Sequence, residues 1–255
     1  MGDEQSGFGS ASCSAWGTLA VAAMPKAADI DATTRQQQQQ QQKQQEQESS
    51  IICGYSQHMQ PVTTEGGAGP GGGGGISQLL SRADWGARMP KQVDYFNGPA
   101  PFVIIHHSYI PAVCESTPDC MRSMREMQDF HQVDRGWNDI GYSFGIGGDG
   151  LIYTGRGFNV VGAHAPKYND KSVGIVLIGD WRTELPPARM LQAAQDLIAF
   201  GVAQGYIDPA YKLLGHRQVR DTECPGGRLY QEISTWPHFT QLNSTAEAQP
   251  AVKMA

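Results

Sequence analysis

PFVIIHHS, residues 101–108, is an unbroken apolar and β-branched run that stops at a pair of histidines. A run with no polar residue on either side of the pleat reads as a strand covered on both faces, so it belongs inside a sheet flanked by helices. Alternation sends His106 and His107 to opposite faces at its far end.

The neighbouring segments fit such a sheet. STPDCMRSMREMQDFHQV, 116–133, reads as a helix with Thr117 as N-cap, Pro118 in the first turn and an apolar stripe of Met121, Met124, Met127 and Phe130. GYSFGIGGDGLIYTGRG, 141–157, has two alternating runs around Gly147, Gly148, Asp149 and Gly150, the pattern of a hairpin. KSVGIVLIGD, 171–180, is a second buried strand, and Ala188 to Gln204 a helix with Gly205 as its stop. YKLLGH, 211–216, is a short strand that delivers His216 to its end, and RLYQEISTW, 228–236, a last helix. Strands and helices intermix, so the class is α/β, a single domain with a central mixed β-sheet flanked by about three helices.

The chain has 255 residues, but composition divides it. Residues 1–77 include seven consecutive glutamines at 36–42 and a glycine tract at 71–75, which bury too little apolar surface to offset ordering entropy. We expect a low-complexity leader over 1–77, a domain over 78–239 and a flexible tail over 240–255. The net charge of −6 and the lack of a basic block argue against nucleic acid as partner. No apolar run approaches the roughly 20 residues of a transmembrane helix. WGTLAVAAM, 16–24, follows the acidic Asp3 and Glu4, a poor start for a signal peptide. MGDEQS loosely fits a myristoylation pattern at Gly2 and Ser6, with Cys13 as a second lipid site, although a plain leader explains it as well.

Cys114 and Cys120 enclose a turn-rich ESTPD segment whose ends could meet in a disulfide, and NST at 243–245 is a glycosylation sequon; both suit an oxidising compartment. Cys224 has no obvious partner. His106, His216 and Cys224 sit at or just beyond strand ends, and imidazole nitrogen with thiolate suits zinc, three protein ligands leaving a fourth position open. Spacing alone leaves this beside another reading, satisfied core histidines and a buried thiol.

VIIHHS (103–108), WNDIGYSFGIGGDGLIYTGRGFNVVGAHAPKYN (137–169), SVGIVLIGDW (172–181) and LLGHRQVRDTECPGG (213–227), in this order, resemble the peptidoglycan recognition protein family, in particular its amidase-active insect members. The resemblance covers 78–239 and implies a zinc N-acetylmuramoyl-L-alanine amidase with one Zn2+ per chain held by His106, His216 and Cys224. It implies that Tyr142 assists the zinc-bound water, that Thr222 helps stabilise the transition state, and that Cys114 and Cys120 form the family's short disulfide. Zinc lowers the pKa of a bound water toward about 7 and polarises an amide carbonyl. No Glu occupies an obvious general-base position.

The partners implied are bacterial peptidoglycan and muropeptides. Gly136 and Trp137 stand where the family discriminates stem peptides and resemble members that prefer meso-diaminopimelate. Arg156 is the candidate for the extra carboxylate of diaminopimelate, and His164 a candidate for the groove wall beside the sugar. Each residue also has a plain structural role open to it: Gly136 a helix stop, Trp137 and Tyr142 core aromatics, Thr222 a turn residue, His107 a packed histidine. His58, His131 and His238 carry no functional signal. The alternative function is a non-catalytic peptidoglycan receptor, whose family members often replace the zinc cysteine by serine. The expected disulfide and the family favour an extracellular protein, an intracellular form staying open without a convincing signal peptide. Oligomeric state is not legible.

Overall fold

The computed structural model describes residues 79–242. The leader, with Gly2, Ser6, Cys13, Cys53 and His58, and the sequon at 243–245 lie outside the described residues.

Strands β1 (Leu79–Leu80), β2 (Ala100–His107), β3 (Phe144–Ile146), β4 (Ile152–Thr154), β5 (Ser172–Leu177) and β6 (Ile207–Gly215) form one sheet in the order β1-β4-β3-β5-β2-β6. The hairpin pair β3–β4 is antiparallel and the other neighbours run parallel, so the sheet is mixed. β2 lies between β5 and β6, with His106 opposite Val176 and Ile105 opposite Gly215. The apolar run of β2 requires cover on both faces, and Val103, Ile104 and Ile105 are fully buried.

Helix α1 (Thr117–Asp129) lays Met124 and Met127 against Tyr153 and Val176 on one face of the sheet. Its N-cap is Ser116, one residue before the expected Thr117, and its hydroxyl oxygen accepts the Asp119 N–H at 3.4 Å while Pro118 takes the first turn. Helix α2 (Ala188–Ala203) contacts β3, β4 and β6 on the other face, burying Met190, Ala194 and Leu197. Helix α3 (Gly227–Ile233) is shorter than expected and packs near β6. Among the described residues no helix is long and apolar enough to cross a membrane.

Three features depart from the sequence reading. β1 adds a two-residue parallel strand beside β4. β6 begins at Ile207 rather than Tyr211, because a register shift between the Ala100–Ile207 and Phe102–Lys212 pairs breaks the alternation around Pro209. After Asp129, α1 widens into a π-helical turn, Phe130–Asp134, closed by the Arg135 N–H on the Phe130 carbonyl at 3.0 Å. The fold also extends past 239: Thr240 donates its N–H to the Leu213 carbonyl at 3.1 Å, and the Leu213 N–H bonds the His238 carbonyl at 2.9 Å. This segment therefore lies along the outer edge of β6.

Cys114 and Cys120, the latter in the first turn of α1, are disulfide-bonded, with Cα atoms 5.1 Å apart, and both are buried. Closing so short a loop is worth about 2 kcal/mol. Cys114→Ser combined with Cys120→Ser is therefore expected to lower the thermal midpoint by several degrees, read by calorimetry. An unchanged midpoint would remove the bridge from the stability of the domain.

Candidate metal centre

The site is assembled at the carboxyl ends of two adjacent parallel strands. His106 is the last residue but one of β2, and β6 ends at Gly215, so His216 opens a 3-10 turn, His216–Gln218, beside it. The following loop folds back because the Arg217 N–H bonds the Cys224 carbonyl at 2.8 Å, with the Gly226 N–H on the Glu223 carbonyl at 2.7 Å. That closure brings the Cys224 thiol to the two rings. One ligand atom from each of His106, His216 and Cys224 lies within 4.8 Å of the others. His106 Nδ1 is 3.7 Å from Cys224 Sγ, and the two histidine rings are 4.3 Å apart.

The donor set fits a cation. Among the described residues neither of the two buried ring nitrogens of His216 has a hydrogen-bond partner, and a metal bond would remove that cost for one of them. Burial, then the neighbouring histidines, hold His106 well below the ordinary imidazole range, and burial with Arg220 lowers His216 to about 4. Both rings are neutral at physiological pH, with lone pairs free. Burial pushes the Cys224 thiol up to about 12, opposed by the His107 N–H, which reaches Sγ at 3.4 Å. A bound cation reverses that shift and holds the thiolate.

Tyr142 is placed by the segment before it. Arg82 and Asp139 form a buried ion pair at 2.9 Å, and Asp139 also accepts from Gln128 at 2.7 Å and from the Ile140 N–H at 2.8 Å. This anchors the turn that carries Tyr142, whose ring stands 5.2 Å from His106. Burial and then the Cys224 charge raise its pKa, so the phenol keeps its proton. Tyr142, His216, Thr222 and Cys224 line one cleft of about 440 Å³, with Tyr109 and Arg182 at its wall. Thr222 Oγ1 accepts the Cys224 N–H at 3.2 Å, which leaves its own proton to donate. Glu223 also borders the cleft; its carboxylate is exposed and 3.8 Å from Arg182.

Three other residues sit differently from expectation or went unnoticed. His164 is buried behind His106, its Nδ1 3.0 Å from His106 Nε2. Arg156 is buried and its guanidinium faces backbone, donating to the carbonyls of Ile140 at 2.6 Å and Val161 at 2.7 Å. His131, which carried no signal, joins the site's edge. It stacks on Trp137 at 4.7 Å, meets Tyr142 edge-on at 5.7 Å, and its Nδ1 accepts the Gly141 N–H at 3.2 Å. The usable signal was its place four residues beyond Met127 on the apolar stripe. Gly136 has φ +71, the left-handed conformation that the turn after the π-helical segment requires, and a Cβ there would meet nothing within 4 Å among the described residues. His107 is a packed histidine, accepting the Trp181 N–H at 3.3 Å. His238 stacks on Tyr211 at 4.3 Å, away from the cleft.

Burial, then Arg156 and Arg135, lower His131 to about 4. Its folded pKa lies below the unfolded value, so its neutral form stabilises fully above about pH 6.5 and that stability is lost as pH falls toward 4. The loss approaches about 3 kcal/mol. We expect urea midpoints of the chelator-treated protein to fall across this window, and less steeply for His131→Asn, which retains an acceptor for Gly141. Equal slopes would contradict the assignment.

The fold and site define a class: an α/β enzyme with an open His-His-Cys donor set at the strand ends of a mixed sheet. Residues 96–227 match the N-acetylmuramoyl-L-alanine amidase family. Peptidoglycan-recognition protein LB of Drosophila melanogaster is 78% identical over 192 residues, covering 75% of this chain and 80% of that protein. The solved structure of wild-type Drosophila PGRP-LB superposes with a TM-score of 0.66 at 82% identity, covering 67% of this chain and all of that one. Peptidoglycan recognition protein-LE in complex with tracheal cytotoxin, a monomeric diaminopimelic acid-type peptidoglycan, gives 0.63 at 43% identity, over 64% and 96% of the two chains. The chain belongs to the N-acetylmuramoyl-L-alanine amidase family, among the peptidoglycan-recognition proteins.

Proposed function

We propose that this chain is a zinc-dependent N-acetylmuramoyl-L-alanine amidase that binds peptidoglycan of the meso-diaminopimelate type and cuts the amide between the lactyl group and L-alanine. The observation that carries this reading is the convergence of His106, His216 and Cys224 within 4.8 Å, at the floor of a cleft that His216, Cys224 and Tyr142 line. When bound to these three residues, zinc supplies a Lewis acid and an activated water, in the three-ligand arrangement of catalytic rather than structural sites. The chain's own residues do the rest. Neutral His106 and His216 offer lone pairs, Tyr142 donates its retained proton toward charge developing on the scissile carbonyl, and the Thr222 hydroxyl is a second neutral donor.

We assign Gly136 and Trp137 to substrate recognition, and Arg156 and His164, which face backbone carbonyls and His106, to its support from behind. Trp137 stacks on His131, which touches Tyr142, so a row of rings joins Trp137 to the centre, which supports a role for it there. The likeness to a protein solved with diaminopimelic acid-type peptidoglycan supports the preference. Release of the stem peptide removes the ligand that immune receptors detect, which dampens signalling. The buried disulfide supports an extracellular site of action.

Purified protein with zinc is expected to release free stem peptides from diaminopimelate-type peptidoglycan, read by mass spectrometry, and to do so faster than from the lysine type. Tight binding without release would favour a non-catalytic receptor. Equal rates on the two polymers would sink the stem-peptide preference.

A further inference from the structure

Behind His106 lies a chain of polar groups that the hydrolytic reading does not use. His106 Nε2 meets His164 Nδ1 at 3.0 Å, with the two buried rings perpendicular at an 89° interplanar angle. His164 Nε2 faces Ser172 Oγ at 3.4 Å, and that hydroxyl donates to the Tyr168 carbonyl at 2.6 Å. We propose that His164, backed by Ser172, is a positioning residue that fixes His106 in the tautomer whose bare Nδ1 faces His216 and Cys224. This rests on the reading of His106 as a metal ligand.

Donor counting sets the direction. A serine hydroxyl has one proton, and here the Tyr168 carbonyl takes it. Ser172 Oγ is left an acceptor, so His164 carries its proton on Nε2 and presents a bare Nδ1. His106 must then carry its proton on Nε2, which bares the nitrogen 3.7 Å from Cys224 Sγ. The reverse order would aim a proton from His106 Nδ1 into the centre and set a bare His164 nitrogen against an oxygen with no proton to give. Histidine ligands of metals are oriented in this way by the partner of their other nitrogen.

The surroundings hold the His164 ring for this task. Asn169 Oδ1 accepts the N–H groups of both His164 and Ala165, at 2.9 and 2.8 Å. The ring fills a slot between Gly162 and Gly174, where a Cβ on either residue would lie 2.5 Å from its Cδ2. Ser172 and Gly174 are both on β5, the strand paired with β2, so the relay and the ligand share one rigid ladder.

The test begins with the metal-free full chain labelled with 15N-histidine. Long-range 1H–15N correlation spectra at neutral pH are expected to show His106 and His164 both as Nε2–H tautomers. His164→Leu should release His106 into a mixture of tautomers and weaken zinc binding about 10- to 100-fold in a chelator competition. His164→Asn, whose Oδ1 occupies the place of Nδ1, should recover most of both. Ser172→Ala should disturb the His164 tautomer and supplies the readout if His164→Leu does not fold. An Nδ1–H tautomer of His106 in the wild-type protein, or unchanged zinc affinity in a folded His164→Leu, would overturn the proposal. A wild-type protein that shows the stated tautomers but binds no zinc would support the relay and sink the zinc reading instead.

Discussion

Cys224→Ser is expected to remove turnover while leaving muropeptide binding within a few-fold of the original. Serine offers a neutral, harder oxygen in place of a thiolate, and its hydroxyl does not ionise near neutral pH, so the site loses its one anionic donor. His106 and His216 remain, but two neutral imidazoles hold a divalent cation weakly. Rate should fall at least about 10³-fold, more than the loss of a single oxyanion donor, because every later step depends on the bound ion. Tyr109, Arg182 and Thr222 line the cleft beside the thiol, and Thr222 bonds the Cys224 backbone N–H, which serine keeps. Metal analysis, stem-peptide release and calorimetric binding on the same preparation separate the effects. Retained turnover with one zinc per chain would take Cys224 out of the ligand set.

Tyr142→Phe is the second large effect. The substitution deletes only a hydroxyl, and the ring keeps its packing against His106 at 5.2 Å and His131 at 5.7 Å. Burial holds the phenol protonated across the working pH range, so what is lost is a neutral donor rather than a base. A donor that acts mainly on developing charge contributes to kcat, and the expected loss is about 10²- to 10³-fold with KM and zinc content little changed. A rise in KM with kcat preserved would instead make Tyr142 a binding residue.

The sheet was legible wherever local pattern and packing agree. The run 101–108 has no other stable use than an interior strand, and β2 lies where it must, between β5 and β6. β6 was half legible: Leu213 and Leu214 read as strand, but Asp208 and Pro209 fall at a register shift that alternation cannot represent. The centre became legible through likeness rather than spacing, since His106 and Cys224 are far apart in sequence and meet only when the loop closes on the Arg217–Cys224 backbone bond. His131, His164 and Arg156 show what sequence could not supply. Their partners are a stacked indole, another histidine and backbone carbonyls, all chosen by tertiary placement. A histidine on a helix or in GAHAP has the same letters whether it lines a groove or stands behind a ligand.

The segment His238–Thr240 has a bearing on solubility. β6 is the last strand of the sheet, and an uncovered terminal strand offers unpaired amide and carbonyl groups to any other extended chain. Leu213 engages both of its groups with this segment, so the middle of that border is already paired from within. A polypeptide ended before His238 would keep all the proposed ligands and the cleft, yet expose a template for strand addition next to His216. What closes the domain is thus also its guard against self-association, and it lies outside every motif that carries the chemistry.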